Sequence, residues 1–453
     1  MKQIREHFAS RMGIIMASAG SAIGLGTLWM FPYLTFQNGG GSFIFLFFLF
    51  TFLVGVPLFI AELSLGKKAR RGVVGIFMHL EEGPSFWNVI GWFSFISAFL
   101  IFSYYTVVAG WGLHYAWMSL CQYYKYKTPA TIGESFTALE SSSGMNILSH
   151  FSFNIMTAFI VYKGIRKGIE KYSKWITSCL FIMVLVLLGY SINLPGFSDS
   201  VTYLFSTDLS NISSHSALEA LGLAFFTLSL GQGIMLTYGS YIGKAHNIPK
   251  VAIIVGSLNI VISFLIALMI FRMLFSAPAT LERSGPGLIF QTLPYFFLSM
   301  PGAGVFSLAF FVLFCFTALT SSIAFLEVLV SNFTDLFNLS RKRAVVYFAC
   351  ASALFGIPSA LSFSQTLFSN WKALYGMTFF ETQVSFVSNW VLPINGLLIA
   401  IYVGWRLPKK KFFSEFSQGK LEFLFMGWIF LIKWLAPTCI IFLFLSKSGL
   451  IVF

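Results

Sequence analysis

Charge is what this sequence has least of. Asp, Glu, Lys and Arg make up only 10% of its 453 residues, where a globular domain carries about a quarter. A chain so poor in charge cannot cover a water-facing surface. Cysteine is as thin: Cys121, Cys179, Cys315, Cys350 and Cys439 lie far apart, mostly inside apolar runs. They offer neither metal spacing nor a disulfide framework, and small apolar filler is the reading for each. His7, His79, His114, His150, His215 and His246 have no i, i+4 partner for a metal, so they read as interfacial or hydrogen-bonded residues. No nucleophile–base pair or metal cluster lies in the apolar runs, which disfavours an enzyme. The longest stretch between runs, about 123–146, is too short for an appended soluble domain. The first run is long, lacks a small-residue cleavage pattern and passes through Asn38-Gly39-Gly40-Gly41 into the second. That excludes a removable signal peptide.

Apolar residues take the place that charge leaves. They reach 57% of the chain, and the mean hydropathy is +0.81. Runs near 11–36, 42–66, 88–122, 147–164, 172–192, 216–243, 247–277, 301–337, 341–358, 380–405 and 421–446 approach or exceed the roughly 20 residues that cross a bilayer. The expectation is an all-α polytopic membrane protein with 11 transmembrane helices. A net charge of +13 could suggest nucleic acid, but its distribution excludes that partner. With the N-terminus cytoplasmic, the inside segments hold Lys2, Arg5 and Arg11, the basic residues from Lys67 to Arg71, from Lys163 to Lys174, Lys244 and Lys250, those from Arg341 to Arg343 and from Arg406 to Lys420. These are 22 of the 29 basic residues, the bias that sets membrane orientation. An odd number of spans then leaves the C-terminus outside. Trp29, Trp92, Trp117, Trp371 and Trp405 lie near span ends, as aromatic belts do. The 55 phenylalanines face lipid or neighbouring helices and need no cofactor.

Two runs are interrupted. Gly24-Leu25-Gly26 breaks 11–36, and Thr227-Leu228-Ser229-Leu230-Gly231-Gln232-Gly233 breaks 216–243. GLGTLW lacks the third glycine of a pyrophosphate loop, and no strand–helix alternation surrounds it. In lipid, irregular backbone survives only where it lines a buried cavity. Close helix packing over small residues is the alternative, and for one glycine pair alone it would stay open. Breaks in the first and sixth of ten core spans point instead to a 5+5 inverted repeat with discontinuous helices 1 and 6, and a substrate site where they meet. The first repeat covers about 11–192, the second about 216–405, and one extra helix about 421–446. Residues 1–446 form a single transporter domain, with a short tail at 447–453. Half-helix N-termini offer N–H groups to an anion, and unwound carbonyls suit a small hard cation.

AGSAIGLGTLWMFPY, QNGGGSF, GVPLFIAELSLG, SYYTVVAGW, AFFTLSLGQG, the GPGLIF of residues 285–290 and FTALTSSIAFLE together resemble the neurotransmitter:sodium symporter family over nearly the whole chain. The resemblance implies a sodium-coupled secondary active transporter, a symporter working by alternating access, with two sodium ions beside its substrate. The first would be held by the Ala22 carbonyl, Thr27, Thr227, Asn259 and the substrate carboxylate. The second would use carbonyls of Gly20, Ile23 and Thr317 with the hydroxyls of Thr320 and Ser321. Oxygen donors suit a hard cation, although any one Thr or Ser in a membrane helix more often bonds the preceding turn. The substrate carboxylate would lie on the N–H groups of Leu25 and Gly26 and the Tyr105 hydroxyl. Its amino group would meet carbonyls near Ala22, Phe226 and Thr227, and the Ser229 hydroxyl. Ile101, Phe226, Gln232, Ser321 and Phe325 would line a mostly apolar side-chain pocket. Gln232 stands where a bacterial member has an aromatic residue. The family's amine carriers place an aspartate where this chain has Gly24, so the ligand must bring its own acid. That implies an amino acid, and the mostly apolar pocket a neutral one.

Glu62 lies within the second span, where an ionisable group defaults to function. The resemblance assigns it to capping N–H groups freed at the breaks; proton handling is the alternative. Glu327, with Tyr241 as neighbour, is similar, and Arg5 with Asp335 resembles the family's cytoplasmic gate. The family's outer gate pair is missing: Met30 and Val384 hold those places, and apolar packing with Tyr105 and Phe226 is expected instead. Thr27 and Ser21 each stand where an asparagine is usual. Ser263 matches chloride-dependent members, but Phe47 and Leu223 replace two other chloride ligands, so no tightly bound chloride is expected. A non-transporting amino acid sensor or a channel on the same fold is the second function class. Short loops and no twelfth span imply a bacterial inner membrane; the oligomeric state stays open.

Overall fold

A backbone surrounded by hydrocarbon has to bond itself, and within one segment only a helix does so. The computed structural model follows that rule: no strand occurs among the described residues. These are 6–123, 129–192, 196–208, 210, 212–243, 246–276, 285–298, 302–364, 366–368, 370–408, 412 and 422–450. Arg5 of the expected cytoplasmic gate lies outside them.

The chain begins with α1 (Arg11–Ala22) and α2 (Gly26–Gln37), then α3 (Gly41–Ala69), α4 (Val73–Leu80) and α5 (Asn88–Leu120). Helix α6 (Pro129–Ser141) stands where the longest interspan stretch was read, followed by α7 (Ser143–Tyr162), α8 (Ile165–Ile192) and α9 (Phe197–Phe205). The second half opens with α10 (Ser214–Thr227), α11 (Ile234–Ser240), α12 (Ile248–Ser276) and the helical stretch α13 (285–298). It continues with α14 (Ala303–Phe337), α15 (Arg341–Ala360), α16 (Trp371–Tyr375), α17 (Phe379–Arg406) and α18 (Phe423–Lys447).

Nine described helices are long and apolar enough to cross a bilayer, and α1 with α2, bent by 54° at their break, make a tenth. The sixth expected span is present as α10 and α11, separated by residues 228–233, and neither piece is of span length. By length and composition the spans therefore number nine or ten, against eleven expected.

Helices α5 and α14 run side by side through the centre, α1 packs on α8, α12 and α14, and α11 packs on α3. The last contact is backbone against backbone. A Cβ on Gly66 would run into the Leu236 carbonyl, and one on Gly239 into the Leu63 carbonyl. Small residues at such a crossing are how membrane helices gain packing without a hydrophobic drive. The result is a frame of unbroken helices around two broken ones.

Candidate binding site at the two helix breaks

The first break is short. Ile23 caps α1 by donating its N–H to the Ala19 carbonyl at 2.7 Å, and Gly24 donates to the Ala22 carbonyl at 3.0 Å. Helix α2 then opens with a π-helical turn, Gly26–Met30, an irregularity common at functional sites. The second break is longer and turns more sharply. Ser229, Gly231 and Gly233 have φ of 56°, 71° and 77°, a region glycine enters without steric cost. Gly231 is satisfied on both sides. Glu62 Oε1 accepts its N–H at 2.8 Å, and Asn395 Nδ2 donates to its carbonyl at 2.7 Å. Glu62 thus sits where a cap for unwound backbone was expected, and its Oε2 has no hydrogen-bond partner among the described residues. Asn395, also bonded to Ser94 Oγ at 2.9 Å, was missed. An asparagine inside the apolar run 380–405 was the signal that could have found it.

The breaks meet at one carbonyl. Ser21 O accepts from Ser229 Oγ at 3.0 Å and from Ser321 Oγ at 3.2 Å, which ties α1 to the second break and to α14. Sequence reading noted Ser21 only as a departure; here it is the junction. Beside it Gly24 keeps space open, since a Cβ there would lie 3.0 Å from Ser321 Oγ and 3.7 Å from Tyr105 Oη. The Leu25 N–H points to Tyr105 Oη at 3.4 Å, and the Tyr105 ring stands edge-on to Phe325 at 5.7 Å.

Both expected ion groups gather most of their members. Asn259 Nδ2 donates to Thr227 Oγ1 at 3.1 Å, and Thr27 Oγ1 approaches Asn259 Oδ1 at 3.5 Å. The Ala22 carbonyl closes the nearby turn. In the second group Thr320 Oγ1 lies 2.6 Å from the Gly20 carbonyl and 2.9 Å from the Thr317 carbonyl. Its rotor can therefore donate back to its own helix while turning a lone pair toward a cation. Ser321 Oγ approaches the Thr317 carbonyl at 3.5 Å. Ile23, whose carbonyl was the expected ligand, is buried at the C-terminal cap of α1, where its N–H donates to the Ala19 carbonyl. All these donors are neutral oxygens, and no cluster of His, Cys, Asp or Glu suited to a metal occurs among the described residues. Neutral oxygens fit a hard monovalent cation better than a divalent one, which draws carboxylates.

A cavity of about 380 Å³ opens beside the first break and the end of α10. Of the expected substrate residues it reaches Leu25, Gly26, Tyr105 and Phe226, and both outer-gate positions, Met30 and Val384, line it as well. Ala22, Thr227, Ser229 and Ser321 lie buried outside that lining, as do Ile101, Gln232 and Phe325. Phe226 lies over the first break, where a Cβ on Gly26 would meet its ring at 2.9 Å. The apolar group expected at the outer gate therefore shares one cavity wall.

The opposite end is tied shut. Phe8 N donates to the Tyr241 carbonyl at 3.1 Å. Ala9 N and Ser10 Oγ donate to Glu170 at 2.7 and 2.9 Å, and Ile165 N donates to Glu6 at 2.7 Å. Gly13 admits the Glu170 carboxylate, because any Cβ there would overlap it. Asp335 accepts from Gly72 N. Glu327 accepts from Tyr241 as expected, and also from Arg341, which the sequence reading counted only as a basic residue. At the chloride position Ser263 Oγ donates to its own helix at Asn259 O, 2.7 Å away, and Phe47 packs against Phe31.

The sequence model of the sodium:neurotransmitter symporter family matches residues 5–131 and 137–451. The uncharacterized sodium-dependent transporter YhdH of Bacillus subtilis is 33% identical over 449 residues, 98% of each chain. An uncharacterized sodium-dependent transporter of Haemophilus influenzae is 30% identical over 453 residues, again 98% of each. A solved structure of MhsT in complex with L-phenylalanine superposes with a TM-score of 0.87 at 34% identity, covering 98% of this chain and 100% of that one.

Proposed function

The chain belongs to the sodium:neurotransmitter symporter family, and from this we propose that it carries a neutral amino acid into the cell together with sodium. It is a multi-pass, sodium-coupled membrane transporter and not an enzyme. The observation that supports an amino acid cargo is the acid-free junction at Gly24. Tyr105 Oη, Ser321 Oγ and the Leu25 N–H face that space, and among the described residues no carboxylate is placed against it to receive an amine without an acid of its own. Glu62, the buried acid near the second break, is engaged with Gly231.

Charge balance leads to the same cargo. A cation held only by Thr27, Thr227, Asn259 and the Ala22 carbonyl has no counter-charge, and an unpaired buried charge is costly. The carboxylate of an amino acid, lying on the Leu25 and Gly26 N–H groups and Tyr105, supplies it. In this reading Ser229 and the carbonyls near Ala22, Phe226 and Thr227 take the ammonium group. Ile101, Gln232 and Phe325 take the side chain. Gly20, Ile23, Thr317, Thr320 and Ser321 hold a second sodium. Sodium is co-substrate here, and each ion ties a broken helix to an unbroken one. The cavity on the Met30 side, with the far end tied by residues 6–10, corresponds to a state open outward, the N-terminus being cytoplasmic in a bacterial inner membrane. The relative solved with L-phenylalanine supports an amino acid cargo.

The test is reconstitution in proteoliposomes. An inward sodium gradient should drive one or more labelled neutral amino acids above equilibrium, and collapse of the gradient should release them. Binding without accumulation would identify a sensor, and equilibration without accumulation a channel; either result sinks the reading. A thermal-shift screen of amino acids with and without sodium selects the cargo to label.

A further inference from the structure

We propose that the ion pair between Glu219 and Lys447 is a latch on the half-helix α10, setting how far the Met30 side of the cavity opens. The proposal rests on the transport reading, but its geometry stands apart from the choice of cargo. Glu219 and Lys447 are the only charged residues among the described lining of the cavity, and they face each other across its rim. Their side chains are 19% and 30% exposed, which leaves them half-shielded and able to exchange with water. The other titratable group near the pair is His215, whose Nε2 lies 3.9 Å from Glu219 Oε1.

What each charge is attached to makes the pair a latch. Glu219, Gly222 and Phe226 lie on one face of α10, at spacings that bring side chains into line. Phe226 is the residue that covers Gly26. Helix α10 ends at the unwound segment 228–233, whose positive-φ residues form a natural pivot. Lys447 belongs to α18, an unbroken helix packed on α17. Gly222 lets the two approach, since a Cβ there would come within 3.3 Å of Leu443 on α18. The pair therefore joins a half-helix that ends at a pivot to an unbroken helix, above a gate at Met30 and Val384 that carries no charge. Parting it frees α10 to carry Phe226 off the first break.

The experiment uses the full chain in lipid nanodiscs, with the five native cysteines changed to alanine and Met30→Cys as reporter. Its labelling by a membrane-impermeant maleimide, in potassium buffer without any amino acid, reads how open that side is. E219Q and K447Q should each raise the labelling rate by on the order of two- to five-fold, the population change a half-exposed pair supports. The charge swap E219K/K447E should return it to the parent rate, which a purely structural role for either side chain would not predict. Rates unchanged in both single variants, or a swap that labels as fast as they do, would overturn the latch. If a single variant does not fold, choline chloride titrated onto the parent serves instead: screening should speed labelling, and indifference to salt overturns the proposal. Because no cargo is present, a failed uptake assay leaves this result standing, and a failed latch leaves the cargo reading standing.

Discussion

In the proposed reading, the absence of a side chain at Gly24 selects for a ligand that brings its own acid. A Cβ there would point at Ser321 Oγ and Tyr105 Oη, so Gly24→Asp would set a carboxylate beside the one an amino acid brings. Like charges placed together cost several kcal/mol. Gly24→Asp should therefore weaken amino acid binding by at least about 100-fold, read by titration of labelled ligand in saturating sodium. Retained affinity would show that the acid group binds elsewhere. Thr320 and Thr317 offer a sharper contrast because they share a helix and a residue type. Thr320 Oγ1 reaches across to Gly20, whereas Thr317 Oγ1 turns back to the Leu313 carbonyl at 2.9 Å. Thr320→Val should raise the sodium concentration needed for half-maximal thermal stabilisation by roughly tenfold, the loss of one hydrogen-bonding group to a charge. Thr317→Val, which leaves its carbonyl in place, should change it little. Equal effects from the two would remove Thr320 from the ion group.

The elements that matter most are the ones that stop being helices, and their legibility differs. Gly24-Leu25-Gly26 and Gly231-Gln232-Gly233 announce the breaks because irregular backbone in lipid needs glycine and a polar lining. What satisfies that backbone is harder to read. Glu62 stood out as an acid in an apolar run, but Asn395 is separated from Gly231 by a fold that no local pattern encodes. The division of the first break into a three-residue turn and a π-helical turn is likewise a matter of packing, not of composition. Glu62 supplies the prediction at this scale. Glu62→Gln keeps an acceptor for the Gly231 N–H, so sodium-driven uptake should persist. Glu62→Ala leaves that N–H unsatisfied and should cost about 1–3 kcal/mol, read as a lower melting temperature in detergent. If Glu62→Gln abolishes uptake while melting like the parent, the carboxyl handles a proton and is more than a cap.

For the molecule as a whole, a cavity lies at one end and a set of hydrogen-bonded ties at the other, and the transport reading requires the two to be coupled, with α1 as the part that runs between them. Its last turn offers the Gly20 carbonyl to Thr320, and its start is held by Glu170, 3% exposed, through Ala9 N and Ser10 Oγ. The tie to Thr320 was expected from the family resemblance, but the one to Glu170 could not be found by pattern, because Glu170 reads in the sequence as a charge near a span end, and Gly13 as one more glycine. If the proposed second sodium binds Gly20 and Thr320 together, it favours the arrangement in which α1 is docked, and only such differential binding can shift two states. Sodium should therefore slow backbone hydrogen exchange at the start of α1, in residues 6–14, at the end away from the ion. Glu170→Ala removes the acceptor for the Ala9 N–H at the other end and should cut that protection by roughly tenfold, while leaving exchange in the unbroken helices α5 and α14 unchanged. Exchange in residues 6–14 that ignores both sodium and Glu170 would mean that α1 does not link the two ends, and the cavity would then open and close without reference to the ion.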